Sequence, residues 1–198
     1  MSKTTIPTAG LADAAVTTAK ITDANITTAK IADDAVTSAK STAGITMADQ
    51  WRLTTDFTGD ANPIASNWER NDNASYSSLG TGMTESSGIF TFPATGIYMV
   101  TFNVRGYDDS DGNYNEAEIN VTTNNSSYVI AASMSQFVQQ TSSTSGTINM
   151  NTSTIIDVTN VSNVKFNLSH NVADNGFTTQ GNTAQNRTFA TIIRLGDT

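Results

Sequence analysis

The chain contains a single histidine, His170, within the stretch NLSHNV. Acyl-transfer chemistry would need that ring beside a serine held on a strained turn, with a carboxylate behind it. No G-x-S-x-G stretch occurs, and one histidine excludes a three-histidine metal site. His170 is therefore read as an ordinary strand residue. The densest acidic run is YDDSDGNYNEAE, residues 107–118. Asp109, Asp111, Gly112 and Glu118 partly match a calcium loop, where alternate side chains converge on one cation and a glycine allows the sharp bend. Tyr107 stands where the first acidic ligand belongs, and the run lies between expected strands rather than helices. A solvated turn is the simpler reading, because Asp and Asn favour irregular backbone. No metal and no other cofactor is expected. Asp108, Asp111, Glu116 and Glu118 also offer carboxylates, but no spacing singles out a pair set apart for glycoside hydrolysis. Gly-rich phosphate loops are absent. The chain is not read as an enzyme. Trp51 and Trp68 could stack on a sugar, yet their bulk is better used filling a core or a subunit interface. The triplets Asn120-Val121-Thr122 and Asn167-Leu168-Ser169 match the glycosylation pattern, as expected by chance in a chain so rich in Asn, Ser and Thr.

If no chemistry stands out, the organisation of the chain must carry the function. The 198 residues include 10 Lys+Arg against 18 Asp+Glu, a formal charge of -8. A nucleic-acid partner needs clustered basic residues, and an anionic membrane surface needs the same. Neither is expected, nor is membrane insertion, since no long apolar run exists. There is no cysteine, so disulfides and thiolate metal sites are excluded. The opening MSKTTIPTAG holds one Lys and no apolar segment, so no secretion signal is expected.

Composition changes near residue 50. Every Trp, Tyr and Phe lies at or after Trp51. Before it stand three decapeptides, LADAAVTTAK, ITDANITTAK and IADDAVTSAK. Their apolar positions are Leu11, Val16, Ile21, Ile26, Ile31 and Val36, one every five residues. That period gives no single stripe on a helix, and on a strand it alternates faces. Nor is it the seven- or eleven-residue period of a coiled coil. A unit with a bend fits: a short extended piece, a turn near the Asp, and one helical turn around TTAK. Such thin units bury apolar residues only against neighbours. Several chains wound about one axis would turn the Leu, Val and Ile rings inward. A disordered linker is the competing reading, against which the regular bulky positions argue.

Repeats of the type IADDAVTSAK resemble the stalk repeats of bacteriophage fibre and appendage proteins. The resemblance covers residues 11–40 and implies a trimeric, virion-attached stalk.

From Trp51 onward the sequence reads as short strands between turns. Pro93 and Gly96 in GIFTFPATGIYMVTFNV mark a loop between two strands. AEINVTT and YVIAAS read as a hairpin turning at Asn124 and Asn125. GTINMNTSTIIDVTN, NVKFNLSHNV and RTFATIIRL supply further strands. At least eight strands point to a sandwich or jelly roll. The order of Phe90, Phe92, Pro93, Gly96, Tyr98 and Phe102 resembles the globular head of complement subcomponent q and the wider tumour-necrosis-factor-like jelly roll. TFATIIRL, with Phe189, resembles that family's last strand, where this position is usually buried. The resemblance implies a compact homotrimer with a flat apolar subunit interface.

The expectation is an all-β, jelly-roll β-sandwich head behind a slender repetitive stalk. Residues 1–10 would anchor to other virion proteins, 11–48 would form the stalk, and 49–198 the trimeric head. Leu11, Val16, Ile21, Ile26, Ile31 and Val36 would line the stalk axis. Phe90, Phe92, Tyr98, Phe102 and Phe189 would form head core or interface. The chain would sit on a phage virion as a fibre or a capsid or tail appendage, its loops turned to a host surface receptor or polysaccharide. No residue is assigned to receptor binding. A non-viral secreted trimeric binding module is the alternative.

Overall fold

The computed structural model describes residues 44–108, 114–138, 146–173 and 175–198, together with Thr17, Ile21, residues 26–32 and Ala35. The chain divides into two units, Met1–Thr42 and Ala43–Thr198.

In the first unit, Thr28–Lys30 forms a single 3-10 turn in the middle decapeptide. The Lys30 N–H donates to the Thr27 carbonyl at 2.9 Å. Ile21, Ile26 and Ile31 are exposed within the single chain, at 41%, 55% and 41%. Leu11, Val16 and Val36 lie outside the described residues.

The second unit is a sandwich of two antiparallel sheets. Its strands are β1 (Met47–Leu53), β2 (Phe57–Thr58), β3 (Trp68–Arg70), β4 (Thr84–Ser86), β5 (Ile89–Thr91) and β6 (Gly96–Asp108). There follow β7 (Asn115–Thr122), β8 (Val129–Gln136), β9 (Gly146–Val158), β10 (Lys165–Val172), β11 (Thr178–Thr179) and β12 (Phe189–Gly196). The seven-stranded front sheet runs β2-β11-β6-β12-β1-β3, with β9 along the other edge of β6. The five-stranded back sheet runs β4-β5-β10-β7-β8. PATG therefore does more than turn the chain: it carries it from β5 in one sheet to β6 in the other.

The long strands alternate as a half-solvated antiparallel sheet must. In β6, Tyr98, Val100, Phe102 and Val104 point inward, and Ile97, Met99, Thr101 and Asn103 face outward, half-buried. In β9, Ile148, Met150, Thr152, Ile156 and Val158 are inward. The two strands pair along their whole length, from Gly96↔Val158 to Asp108↔Gly146.

Aromatic rings tie the sheets together. Phe90 of β5 and Phe166 of β10 are cross-strand partners, stacked with centroids 4.9 Å apart. From the front sheet, Trp68 meets Phe90 edge-on at 5.5 Å and Trp51 does so at 5.8 Å. Phe92 packs on both Phe166 and Tyr98. Such contacts contribute beyond the area they bury, because ring edges and faces carry opposite partial charge. Phe90, Phe92, Tyr98 and Phe102 are all buried in this core. Phe189 differs. It points outward from β12 and is half-buried on the outer face of the front sheet.

Candidate functional site

The polar groups inside the sandwich are structural. Asp49, on β1, has a fully buried side chain. One carboxylate oxygen accepts from the Tyr76 hydroxyl at 2.9 Å and from Arg70 Nε at 3.0 Å. The other accepts from Trp51 Nε1 at 3.0 Å and from the Met83 N–H at 2.8 Å. Burial and the neighbouring Asp49 carboxylate push the Tyr76 phenol up to about 12. Arg70 also lies over the Trp51 ring, 5.0 Å from its centre. This hub fastens β1, β3 and the segment leading into β4 without leaving a reactive group free. Arg52, equally buried, is held by Glu69 at 2.6 Å, by Asn71 at 3.0 Å and by Asp72.

His170 lies in β10, fully buried. Its Nδ1 is 2.7 Å from Thr179 Oγ1, and Phe177 meets the ring edge-on at 5.2 Å. Its Nε2 has no hydrogen-bond partner. Burial lowers its pKa to about 4, against a smaller opposing influence from Asp60. The ring is neutral and buried, and its hydrogen-bonding partner among the described residues is the Thr179 hydroxyl.

The acidic run divides. Asp109, Asp111 and Gly112 lie outside the described residues. Asp108 closes β6, while Glu116 and Glu118 lie within β7. Glu118 is buried and accepts from Asn120 Nδ2 at 3.2 Å; Glu116 accepts from the Tyr114 hydroxyl. Among the described residues, no cluster of three or more His, Asp or Glu could hold a metal. Asn120 and Asn167 are buried strand residues, so neither offers its amide nitrogen to a glycosylating enzyme in the folded head. Trp68 is a core residue whose Nε1 donates to the Ile64 carbonyl at 2.8 Å.

Surfaces hold more. The registers align one apolar row across the outer face of the front sheet. Ile155 of β9 stands opposite Met99 of β6, Met99 opposite Ile193 of β12, and Ile193 opposite Ala48 of β1. An isolated bridge extends the row from Ala48 to Leu79. Ile155 is 64% and Leu79 47% exposed. The next row is Ser153, Thr101, Thr191 and Gln50, where Gln50 Nε2 donates to Thr191 Oγ1 at 2.9 Å. Beyond it come Asn151, Asn103, Phe189 and Arg52.

The edge strand β8 is a second exposed apolar surface. Val129, Ile130 and Met134 are exposed, as is Phe137 just after the strand. Among the described residues, β8 pairs only with β7. Its sequence, VIAASMSQ, carries no charge.

A cleft of about 470 Å³ opens over the back sheet, lined by Thr84, Glu85, Ser86, Ile89, Thr91, Asn125, Tyr128 and Lys165. Of these, only Asn125 stands out in the sequence, as a turn residue. One signal was present: Lys165 is the only lysine after Lys40.

No protein-family model and no curated protein matches the chain. Solved structures do. Eiger, a TNF from S. frugiperda, superposes with a TM-score of 0.56 at 16% identity, covering 77% of this chain and 94% of that one. Murine APRIL at pH 8.5 gives 0.51 at 11% identity, with 75% and 98% covered. The same protein at pH 5.0 gives 0.52 at 9% identity, again with 75% and 98% covered. At such identities the likeness is one of fold: the head is a tumour-necrosis-factor-like jelly roll.

Proposed function

We propose that the chain is a structural protein of a bacteriophage virion, a trimeric fibre or a capsid or tail appendage. Residues 1–10 attach it to other virion proteins, 11–48 form the stalk, and 49–198 display the head toward a host receptor or surface polysaccharide. The apolar row from Ile155 to Leu79 is the observation that carries the reading. A contiguous exposed apolar strip marks a surface made to be covered. The face and the β8 edge are different patches, so one copy's edge would cover the next copy's face. Head-to-tail contacts of that kind close into a ring when the rotation allows. Exposed Ile21, Ile26 and Ile31 fit the same need for neighbours. The decapeptides support the phage assignment through their resemblance to stalk repeats. Three weak loop sites on one axis would then bind a surface by avidity.

Light scattering on the full chain tests assembly. The reading expects about three times the 20.9 kDa chain mass, retained when residues 1–42 are removed. A monomer in both forms would sink it. Antibodies raised against the head should label intact phage particles in electron micrographs.

A further inference from the structure

The cleft over the back sheet is built rigidly. Its floor comes from three adjacent strands in register, with Thr84 opposite Thr91 and Thr91 opposite Lys165. Ser86 and Ile89 form the next row. On one side Ser86 and Ile89 flank the β4–β5 turn, where Ser87 and Gly88 have φ of 53° and 80°. Two successive positive φ values give a tight two-residue turn that matches the strand twist. Glu85 Oε1 fastens it, accepting from the Gly88 N–H at 2.6 Å. The other wall is the β7–β8 turn. There Asn124 Oδ1 accepts from the Ser126 and Ser127 N–H groups at 3.0 and 2.9 Å, and the Asn125 N–H donates to the Asn163 carbonyl at 2.9 Å. Tyr128 stands at the end of that turn, half-buried. Walls fixed in this way lose little freedom when a ligand binds.

The lining has a consistent chemistry. Three hydroxyls (Thr84, Ser86, Thr91) and the Asn125 amide can each donate and accept. Tyr128 offers a flat apolar face with a polar tip. Lys165 is half-buried and enters none of the ion pairs found among the described residues. The one carboxylate of the cleft, Glu85, is occupied by its turn. Among the described residues, therefore, no carboxylate pairs with this ammonium, in a head whose charge is otherwise strongly negative. The cleft volume, about 470 Å³, lies within the range of small-ligand sites.

We propose that this cleft binds an acidic saccharide, with Lys165 taking the sugar carboxylate, Tyr128 stacking on the ring, and Thr84, Ser86, Thr91 and Asn125 meeting its hydroxyls. A sugar presents an apolar C–H face and a rim of hydroxyls, which is the complement of one aromatic face among short polar side chains. A neutral sugar would bring the Lys165 ammonium no counter-charge. The inference rests on the head being a binding module, and it gives that module a ligand class and a location.

The test is calorimetric titration of the full chain with short oligosaccharides of galacturonate, glucuronate and sialic acid, each beside its carboxyl-reduced neutral form. At least one acidic probe is expected to bind at one site per chain, about tenfold or more tighter than its neutral form, given the strength of charge-assisted hydrogen bonds. Lys165→Gln should weaken the acidic probe to the level of the neutral one, and Lys165→Arg should restore part of the difference. Tyr128→Ala should weaken both forms. Unchanged melting curves would show that each variant remains folded. Failure of all three acidic probes at millimolar concentration overturns the proposal. So does equal binding of acidic and neutral forms, or an acidic probe indifferent to Lys165→Gln. A trimer that binds no probe leaves the fibre reading standing and removes this one. A monomer that binds an acidic probe does the reverse.

Discussion

Acidification should weaken the head through His170, and the size of the effect follows from its surroundings. The ring is fully buried, Nδ1 is engaged by Thr179, and Nε2 has no partner to receive a second proton's charge. In the unfolded chain the ring titrates near 6.5; in the folded head burial lowers that to about 4. Between those values the unfolded state holds the extra proton and the folded state does not. Stability therefore rises with pH across that window, is fully present above about 6.5, and is lost as pH falls toward 4. At about 1.4 kcal/mol per pH unit of difference, the loss approaches roughly 3 kcal/mol. Carboxylates titrate in the same range, so the useful quantity is the difference between the native chain and His170→Gln. Urea unfolding at pH 7, 5.5 and 4 should show the native chain losing about 3 kcal/mol more than the variant over that range. A difference that stays flat from pH 7 to 4 would refute a buried neutral imidazole.

Other substitutions probe the hub, the core and the assembly surface. Asp49→Asn turns an amide N–H₂ toward groups that are themselves donors, so it should cost roughly 3 kcal/mol and lower the melting point by about 8 °C. Phe102→Ala opens a cavity beneath Trp68 and should cost about 3–5 kcal/mol by urea unfolding. Gly88→Ala would bring a methyl within 2.5 Å of the Ile64 carbonyl oxygen at φ 80°, so its melting point should fall well below that of an exposed Ser→Ala control. Met99→Glu and Ile155→Glu place charge in the apolar row on a solvent-facing surface. At low concentration, light scattering should find them monomeric with a near-native circular dichroism spectrum.

The sandwich was legible because alternation in β6, β9 and β12 is long and regular, and half-solvated antiparallel sheets impose it. The core aromatics Phe90, Phe92, Tyr98 and Phe102 were picked out by their order, which resembles that of the complement-head and tumour-necrosis-factor-like jelly roll. The short strands β2, β3, β4 and β11 were not legible, since two or three residues hold no period. Asp49 and Arg52 escaped notice for a different reason. A charge is ordinarily read as surface, and only the converging partners from β3 and the loops beyond it explain their burial. The cleft was invisible for a third reason. Thr84, Thr91 and Lys165 meet through the cross-strand register, and Tyr128 joins them only through the β7–β8 turn. The outward apolar row was hidden in plain view, because Met99, Ile155 and Ile193 look like core until the pairing shows which face they share.

The two units pose one physical problem in different forms. A decapeptide is too thin to bury its Ile and Val, and the head leaves Ile155, Leu79 and the β8 residues outside a core that is already complete. Uncharged edge strands invite uncontrolled pairing, and proteins ordinarily blunt them with Lys, Pro or bulges. β8 has no charge and no proline; its one register shift lies between the partners Ile119 and Asn120, near its start. Left bare, such an edge is open to pairing with other chains. In the assembly proposed above, β8 would lie against a neighbour's face and the hazard would be removed, because a closed ring leaves no edge to extend. The strong negative charge of the head would then hold finished assemblies of this kind apart by repulsion. The same reasoning predicts that a chain carrying Ile155→Glu, with its ring opened and β8 uncovered, aggregates faster on concentration than one that also carries Ile130→Lys on the exposed edge. Equal aggregation of the two would mean that β8 is not the edge the assembly protects.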